Sequence, residues 1–242
     1  MRLVISLACL AVVSMPAAAG SADYVYTPTV EYGEREIDFK AGSSRSSGAE
    51  RLTAASLGFG YGLTPSWFTE LYVKYQRAGS ESTRFDAFEW ENRWQLTEQG
   101  QLPVDIGFVT EIERPRDRAE GYEVRIGPLF QTDWDRWQLN FNVLLQRQFR
   151  SEAQSRTELG YQWQVRYLSY GTVDGGVQGF GEVGQWNHWN PSREQNHRAG
   201  PALFGKINLG NRHIIKYNAA VLFGFTSAAP DRTARAQVEY EF

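Results

Sequence analysis

Charged residues recur at every second position through long stretches of this chain, and any chemistry it performs would have to start there. Glu89, Glu91 and Arg93 alternate, as do Glu111 with Glu113 and Glu123 with Arg125. Residues two apart share one face of an extended strand, so each run presents a row of charges on one side. Glu70, Lys74, Asp105, Glu158, Arg166 and Lys216 fall on the same side of their own stretches, with Glu34, Glu36, Asp38, Lys206, Glu239 and Glu241 continuing the pattern. Such rows could select charged solutes, or pair with one another and fill the space they face. Unpaired charges in a confined interior are costly, which favours pairing and a plug or narrow pore over free conduction. Acid–base chemistry has less to work with. The histidines are His188, His197 and His213, and Ser192 is the serine that folding could bring to the first two. The spacing of His188 and His197 fits no standard metal site. No catalytic residue, metal or cofactor is expected.

The elements that position these rows are strands. Every odd position from Trp137 to Leu145 is apolar, while Gln138, Asn140, Asn142 and Gln146 face the other way. Leu159, Tyr161, Trp163, Val165 and Tyr167 behave likewise, and period two is the strand signature. Twelve such runs are expected, at 24–41, 52–63, 67–76, 85–96, 102–113, 122–131, 137–147, 157–167, 176–185, 197–207, 213–225 and 234–242. Each is about the 9–11 residues a tilted strand needs to cross a membrane, or longer. Short connections such as Thr64-Pro65-Ser66 and 208–212 alternate with longer polar ones such as 42–51 and 186–196. That is the turn-and-loop rhythm of an up-and-down transmembrane barrel, with both termini on the periplasmic side. The glycine-rich stretch Gly175–Gly181 admits two registers, which leaves ten strands as the alternative count.

Composition agrees with a barrel. Mean hydropathy is −0.47, a low value that suits strands exposing only alternate residues to lipid. The formal charge of −3 is too mild to imply nucleic acid. Arg2, the apolar run Leu3–Val13 and Ala17-Ala18-Ala19 read as a cleaved signal peptide over 1–19, leaving 20–242 as one barrel domain. Cys9, the single cysteine, lies inside that apolar run behind a poor lipobox. A mature chain without cysteine must be held together by something other than disulfides, and a closed hydrogen-bonded barrel would serve.

Aromatic residues fall at strand ends on the apolar face. Trp67, Trp94, Trp137, Tyr167 and Tyr240 are expected at the periplasmic interface, with Phe39, Tyr75, Tyr122, Phe149 and Phe225 at the outer one. Arg125-Ile-Gly-Pro128 recurs as Arg198-Ala-Gly-Pro201, and prolines there should sit near a rim or a bulge. The chain ends Ala234-Arg-Ala-Gln-Val-Glu-Tyr240-Glu-Phe242. This resembles the C-terminal signal of bacterial outer-membrane proteins, with Phe242 last and an aromatic two before it. The resemblance implies export to the outer membrane of a Gram-negative cell and insertion by the barrel-assembly machinery.

Val30–Phe39 and Tyr61–Tyr72 resemble segments of the bacterial outer-membrane channels grouped with phenol-degradation meta pathways. That likeness implies a channel-like barrel and no particular substrate. Outer-membrane phospholipases carry His and Ser two residues apart on one strand, whereas Asn190, Ala199 and Ile215 hold those positions here. The expected function is therefore a non-enzymatic transport barrel for small polar or amphiphilic solutes, with outer-membrane lipid and lipopolysaccharide as partners. A closed barrel that docks an envelope partner is the alternative, and a surface lipid hydrolase stands third. Trp186 and Trp189 read as outer-interface anchors or solute-binding aromatics, and Arg114–Arg118 as a lipopolysaccharide contact or a solvated loop.

Overall fold

The computed structural model describes residues 20–242, so the expected signal peptide and Cys9 lie outside the described residues. Twelve antiparallel strands form the wall: β1 (Arg35–Arg45), β2 (Leu52–Thr64), β3 (Trp67–Ala78), β4 (Arg84–Gln95), β5 (Asp105–Pro115), β6 (Tyr122–Trp134), β7 (Trp137–Phe149), β8 (Glu158–Tyr167), β9 (Val173–Gln185), β11 (Asn196–Gly210), β12 (His213–Gly224) and β13 (Arg232–Glu241). A two-residue strand, β10 (His188–Trp189), folds back on the end of β9 in the loop that follows it. Each wall strand pairs with its neighbours, and β1 closes on β13 from Glu36↔Glu241 to Arg45↔Arg232. Closure removes every strand edge from the wall. The count is twelve because β9 pairs with both β8 and β11, in the register that turns Gln178 and Phe180 inward.

Turn chemistry explains the short connections. Asn211 and Arg212 both have positive φ, 50° and 68°, the type I′ pattern that matches the twist of a two-residue hairpin. Burial alternates through the wall as the side-chain pattern requires; along β1, for example, Glu36, Asp38, Lys40, Gly42 and Ser44 are buried and the residues between them are not. The outward face carries Leu57, Phe59, Leu71, Phe88, Trp90 and Phe141, all exposed apolar groups that suit lipid. Among the described residues no helix is long and apolar enough to cross a membrane.

Three expectations are corrected. The first strand, expected over 24–41, begins at Arg35, and residues 20–34 turn inside the barrel. Phe39 consequently sits at mid-height, opposite Leu57 and Val238, and belongs to no outer girdle. Pro128 and Pro201 lie in mid-strand rather than at a rim. Pairing to the next strand is interrupted between Ile126 and Leu129, and between Ala199 and Ala202. At each break a β-carbon on the preceding glycine would fall 1.9 Å from Val143 O or 2.0 Å from Val221 O. Gly–Pro thus lets the wall pinch inward twice.

Candidate functional site

Residues 20–34 form an extended strap inside the lumen. At the short-turn end Gly33 adopts φ 78°, its N–H donates to Gly62 O, and Gly62 N–H donates to Glu34 O, both at 2.9 Å. From that clamp the strap climbs past Val30, whose N–H donates to Gln95 Oε1 at 2.9 Å. It ends beside Arg198, whose Nη2 lies 3.2 Å from Asp23 Oδ2 and donates to Gly20 O at 3.0 Å. At three points where the strap approaches most closely, the wall residue is glycine. A β-carbon at Gly42 would stand 1.7 Å from Ser21 O, one at Gly62 2.0 Å from Glu31 O, and one at Gly107 2.8 Å from Pro28 Cα.

Successive strap residues grip opposite walls. Val25 packs with Phe180, Ala202, Phe204, Ala220 and Leu222, while Tyr26 packs with Val109, Leu129 and Leu144. These two apolar pads are the inward patches next to the two Gly–Pro pinches. Tyr24 and Tyr26 hydroxyls donate to Glu91 and Glu111 respectively. Lys40 Nζ lies 3.2 Å from Asp38 Oδ2 and sits 3.4 Å from the Tyr24 ring centre.

The structure shows what each of the twelve lumen candidates meets. Lys74 joins Glu89 at 2.8 Å and Glu113 at 2.5 Å, and Arg93 joins Glu91 at 3.0 Å and Glu36 at 3.8 Å. Arg125 bonds Glu111 at 2.8 Å and Glu123 at 3.3 Å, and Arg166 bonds Asp174 at 2.6 Å. Most of these pairs join the same or adjacent strands, while Lys74–Glu113 reaches from β3 to β5 and Arg93–Glu36 from β4 to β1. Residues 20–34 add main chain to the space these charges face. Asp105 accepts from Gly100 N–H at 2.7 Å and so secures a turn, while Glu158 meets Gln146 at the loop end. Lys216 pairs with Glu241 at the turn end. Glu70, 1% exposed, faces the cavity beneath the strap.

Residues that sequence reasoning did not single out as lumen candidates matter as much: Tyr24, Tyr26 and Asp23 on the strap, and Lys40, Asn142, Gln162, Arg198 and Arg235 on the wall. Asn142, Gln162, Arg198 and Arg235 are inward by period two, so a signal existed for them. The strap residues had none, because an extended strap and a strand share that period.

The strap divides the interior. Toward the turn end lies a cavity of about 600 Å³ that includes Glu36, Asp38, Glu70 and Glu239 on one side and Gln131, Gln164 and Gln178 on the other. Toward the loop end a cavity of about 200 Å³ is lined by Lys74, Glu89, Glu111, Glu113 and Arg125 among others. Tyr24 borders both.

The outward aromatics gather at the turn end. Trp67 stacks with Trp94 at 6.4 Å, Trp137 meets Tyr167 at 4.8 Å, and Tyr240 stacks with Phe242 at 5.5 Å. His197 Nδ1 meets Tyr161 OH and His213 Nδ1 meets Tyr240 OH, both at 2.8 Å, and His188 is exposed in β10.

No family model and no curated protein matches the chain. Solved structures do. An outer membrane channel from Pseudomonas putida F1 superposes with a TM-score of 0.57 at 11% identity, covering 90% of this chain and 97% of that one. The fold is that of a bacterial outer-membrane β-barrel. The NanC porin gives a TM-score of 0.53 at 10% identity over 85% of this barrel and 98% of its own chain. The translocator domain of the autotransporter NalP from Neisseria meningitidis gives 0.52 at 9% identity, over 88% of each chain. The barrel's neighbours thus include a channel, a porin and a translocator domain.

Because Gly42 faces the strap tip, Gly42→Leu is expected to unseat it. With Cys9→Ser and Ser21→Cys leaving one thiol in the chain, maleimide labelling should be slow when position 42 is glycine. Adding Gly42→Leu should make it many times faster. Equal labelling rates would show that the tip is not held against β1.

Proposed function

We propose that this protein is an outer-membrane channel for small polar or amphiphilic solutes, closed at rest by its own N-terminal strap. The observation that carries this reading is the strap itself, a segment that joins the wall at the Gly33 turn and separates two polar cavities. Lys74, Arg93, Arg125 and Arg166 pair with carboxylates of the wall itself, which supports a wall that stays folded when the strap leaves. Its fold is shared with proteins described as a channel and a porin, which supports transport over enzymology. Planar-bilayer recording tests it. The native barrel should show rare openings, and variants with a loosened strap should conduct steadily. A folded barrel that stays silent with its strap unseated would turn the reading toward a closed barrel that docks an envelope partner.

The same reading includes a cleaved leader over 1–19, insertion by the barrel-assembly machinery, and lipid and lipopolysaccharide around the wall. Carboxylates dominate the lumen. The periplasmic cavity sets Glu31, Glu34, Glu36, Asp38, Glu70 and Glu239 against Arg93, Arg166, Lys206 and Lys216, and the outer one is also richer in carboxylates. A low-dielectric wall focuses that field. Under a salt gradient the open channel should therefore give a reversal potential of the sign that marks cation preference. Glu70→Lys with Glu239→Lys should shift it toward zero or past it. An anion-preferring open channel would contradict the assignment of the lumen charges.

A further inference from the structure

We propose that the strap's seat is a binding site for extended peptide, and that short peptides with apolar or aromatic side chains are the solutes this lumen takes when the strap withdraws. The inference rests on the channel reading and adds the chemical class of the solute.

The wall recognises main-chain atoms. Tyr26 N–H donates to Gln162 Oε1 at 3.4 Å, and Asn142 Nδ2 donates to Tyr26 O at 3.0 Å. Asn142 also donates to Gln162 Oε1 at 3.2 Å, so the two amides hold each other ready for one peptide unit. Both are buried, Asn142 at 0% and Gln162 at 5% exposure. Gln95 and Arg198 hold Val30 N–H and Gly20 O in the same manner. Four side chains, from β4, β7, β8 and β11, therefore read backbone and not side-chain identity.

The pads add the rest of a peptide's description. Val25 and Tyr26 are consecutive yet enter opposite pads, an arrangement that only an extended chain with alternating side chains can satisfy. A plug acting by bulk alone would need neither the amide pair nor two facing apolar patches. When the strap leaves, this pair loses one donor and one acceptor contact to main chain, and a ligand that supplies N–H and C=O together restores both. A sugar or a simple ion does not present that pair at peptide spacing.

The strap competes from within the same molecule, at a local concentration in the millimolar range for a short tether. The test therefore uses the full barrel carrying Tyr24→Ser, Val25→Ser and Tyr26→Ser, which loosens the strap without shortening the chain. The probe is the blocked peptide acetyl-Asp-Tyr-Val-Tyr-Thr-amide. Calorimetric titration should show binding, and bilayer current should fall as peptide is added. Methylating the amide nitrogen of the second tyrosine should weaken binding by about tenfold, the usual consequence of leaving a buried acceptor unpaired. Asn142→Leu with Gln162→Leu, in the same background, should weaken it at least as much. Conductance without peptide binding would overturn this inference and leave the channel standing. Peptide binding to a barrel that never conducts would overturn the channel reading and leave the site. Equal block by an uncharged oligosaccharide of similar mass would show that the lumen senses bulk alone, and would also overturn the peptide assignment.

Discussion

Tyr26→Ala is expected to convert a barrel that is almost always shut into one that conducts most of the time. The ring is 1% exposed, packs against Val109, Leu129 and Leu144, and its hydroxyl donates a hydrogen bond to Glu111. Truncating a buried aromatic side chain to alanine removes about 3–5 kcal/mol of packing and transfer free energy. Here that loss falls on the docking equilibrium of the strap, since the wall strands keep their ladders. At 1.4 kcal/mol per decade, the docked-to-undocked ratio should fall by about 10²- to 10³-fold. Bilayer recording of refolded protein reads this directly as open probability. Tyr32→Ala is the control, because Tyr32 is 66% exposed at the mouth and its loss should leave gating unchanged. Unchanged open probability in Tyr26→Ala, with the barrel folded, would mean that the strap is not what closes the lumen.

Arg93→Met should be the most damaging single change to the wall itself. The guanidinium lies 3.0 Å from Glu91 and 3.8 Å from Glu36, and covers the Phe68 ring at 4.6 Å. Both carboxylates are nearly inaccessible, at 1% and 2% exposure. Removing one member of a buried ionic group leaves its partners charged and uncompensated, a loss of about 3–5 kcal/mol. The expected result is a clear drop in the denaturation midpoint of the folded barrel, followed by its heat-modified mobility on cold gels. Glu91→Gln added to Arg93→Met should recover part of that loss by removing a stranded charge. A double variant no more stable than the single would show that Arg93 acts through packing on Phe68 and not through charge. Exposed pairs such as Arg193 with Glu194 should barely register in the same assay.

The Gly–Pro repeat gains a meaning that its residues did not carry alone. Arg125-Ile-Gly-Pro128 and Arg198-Ala-Gly-Pro201 mark the two places where the wall gives up pairing to its next strand. Beside them stand the pads that hold Tyr26 and Val25, and the arginines that open the repeats reach Glu111 and Asp23. A hairpin unit used twice thus supplies both jaws of one grip. Periodicity showed the repeat, but only the closed wall brings its copies face to face.

Most of the wall was legible from residue order. Alternation at Trp137–Leu145 or Leu159–Tyr167 states which side chains face lipid, because a strand offers two faces and no others. Phe242 likewise follows the register of Val238 and Tyr240, and its N–H completes closure by donating to Arg35 O at 2.9 Å. Residues 20–34 were a different case. Tyr24, Val25 and Tyr26 obey the same period whether they hydrogen-bond to a neighbouring strand or to Asn142 and Gln162 across the lumen. Period two reports extended backbone and does not say what satisfies it. That choice belonged to the tertiary structure, where Gly33 turns the chain inward and wall positions 42, 62 and 107 have no side chain to exclude it. Local order determined an alternating membrane wall of twelve strands or ten; long-range closure settled twelve and decided what stands inside it.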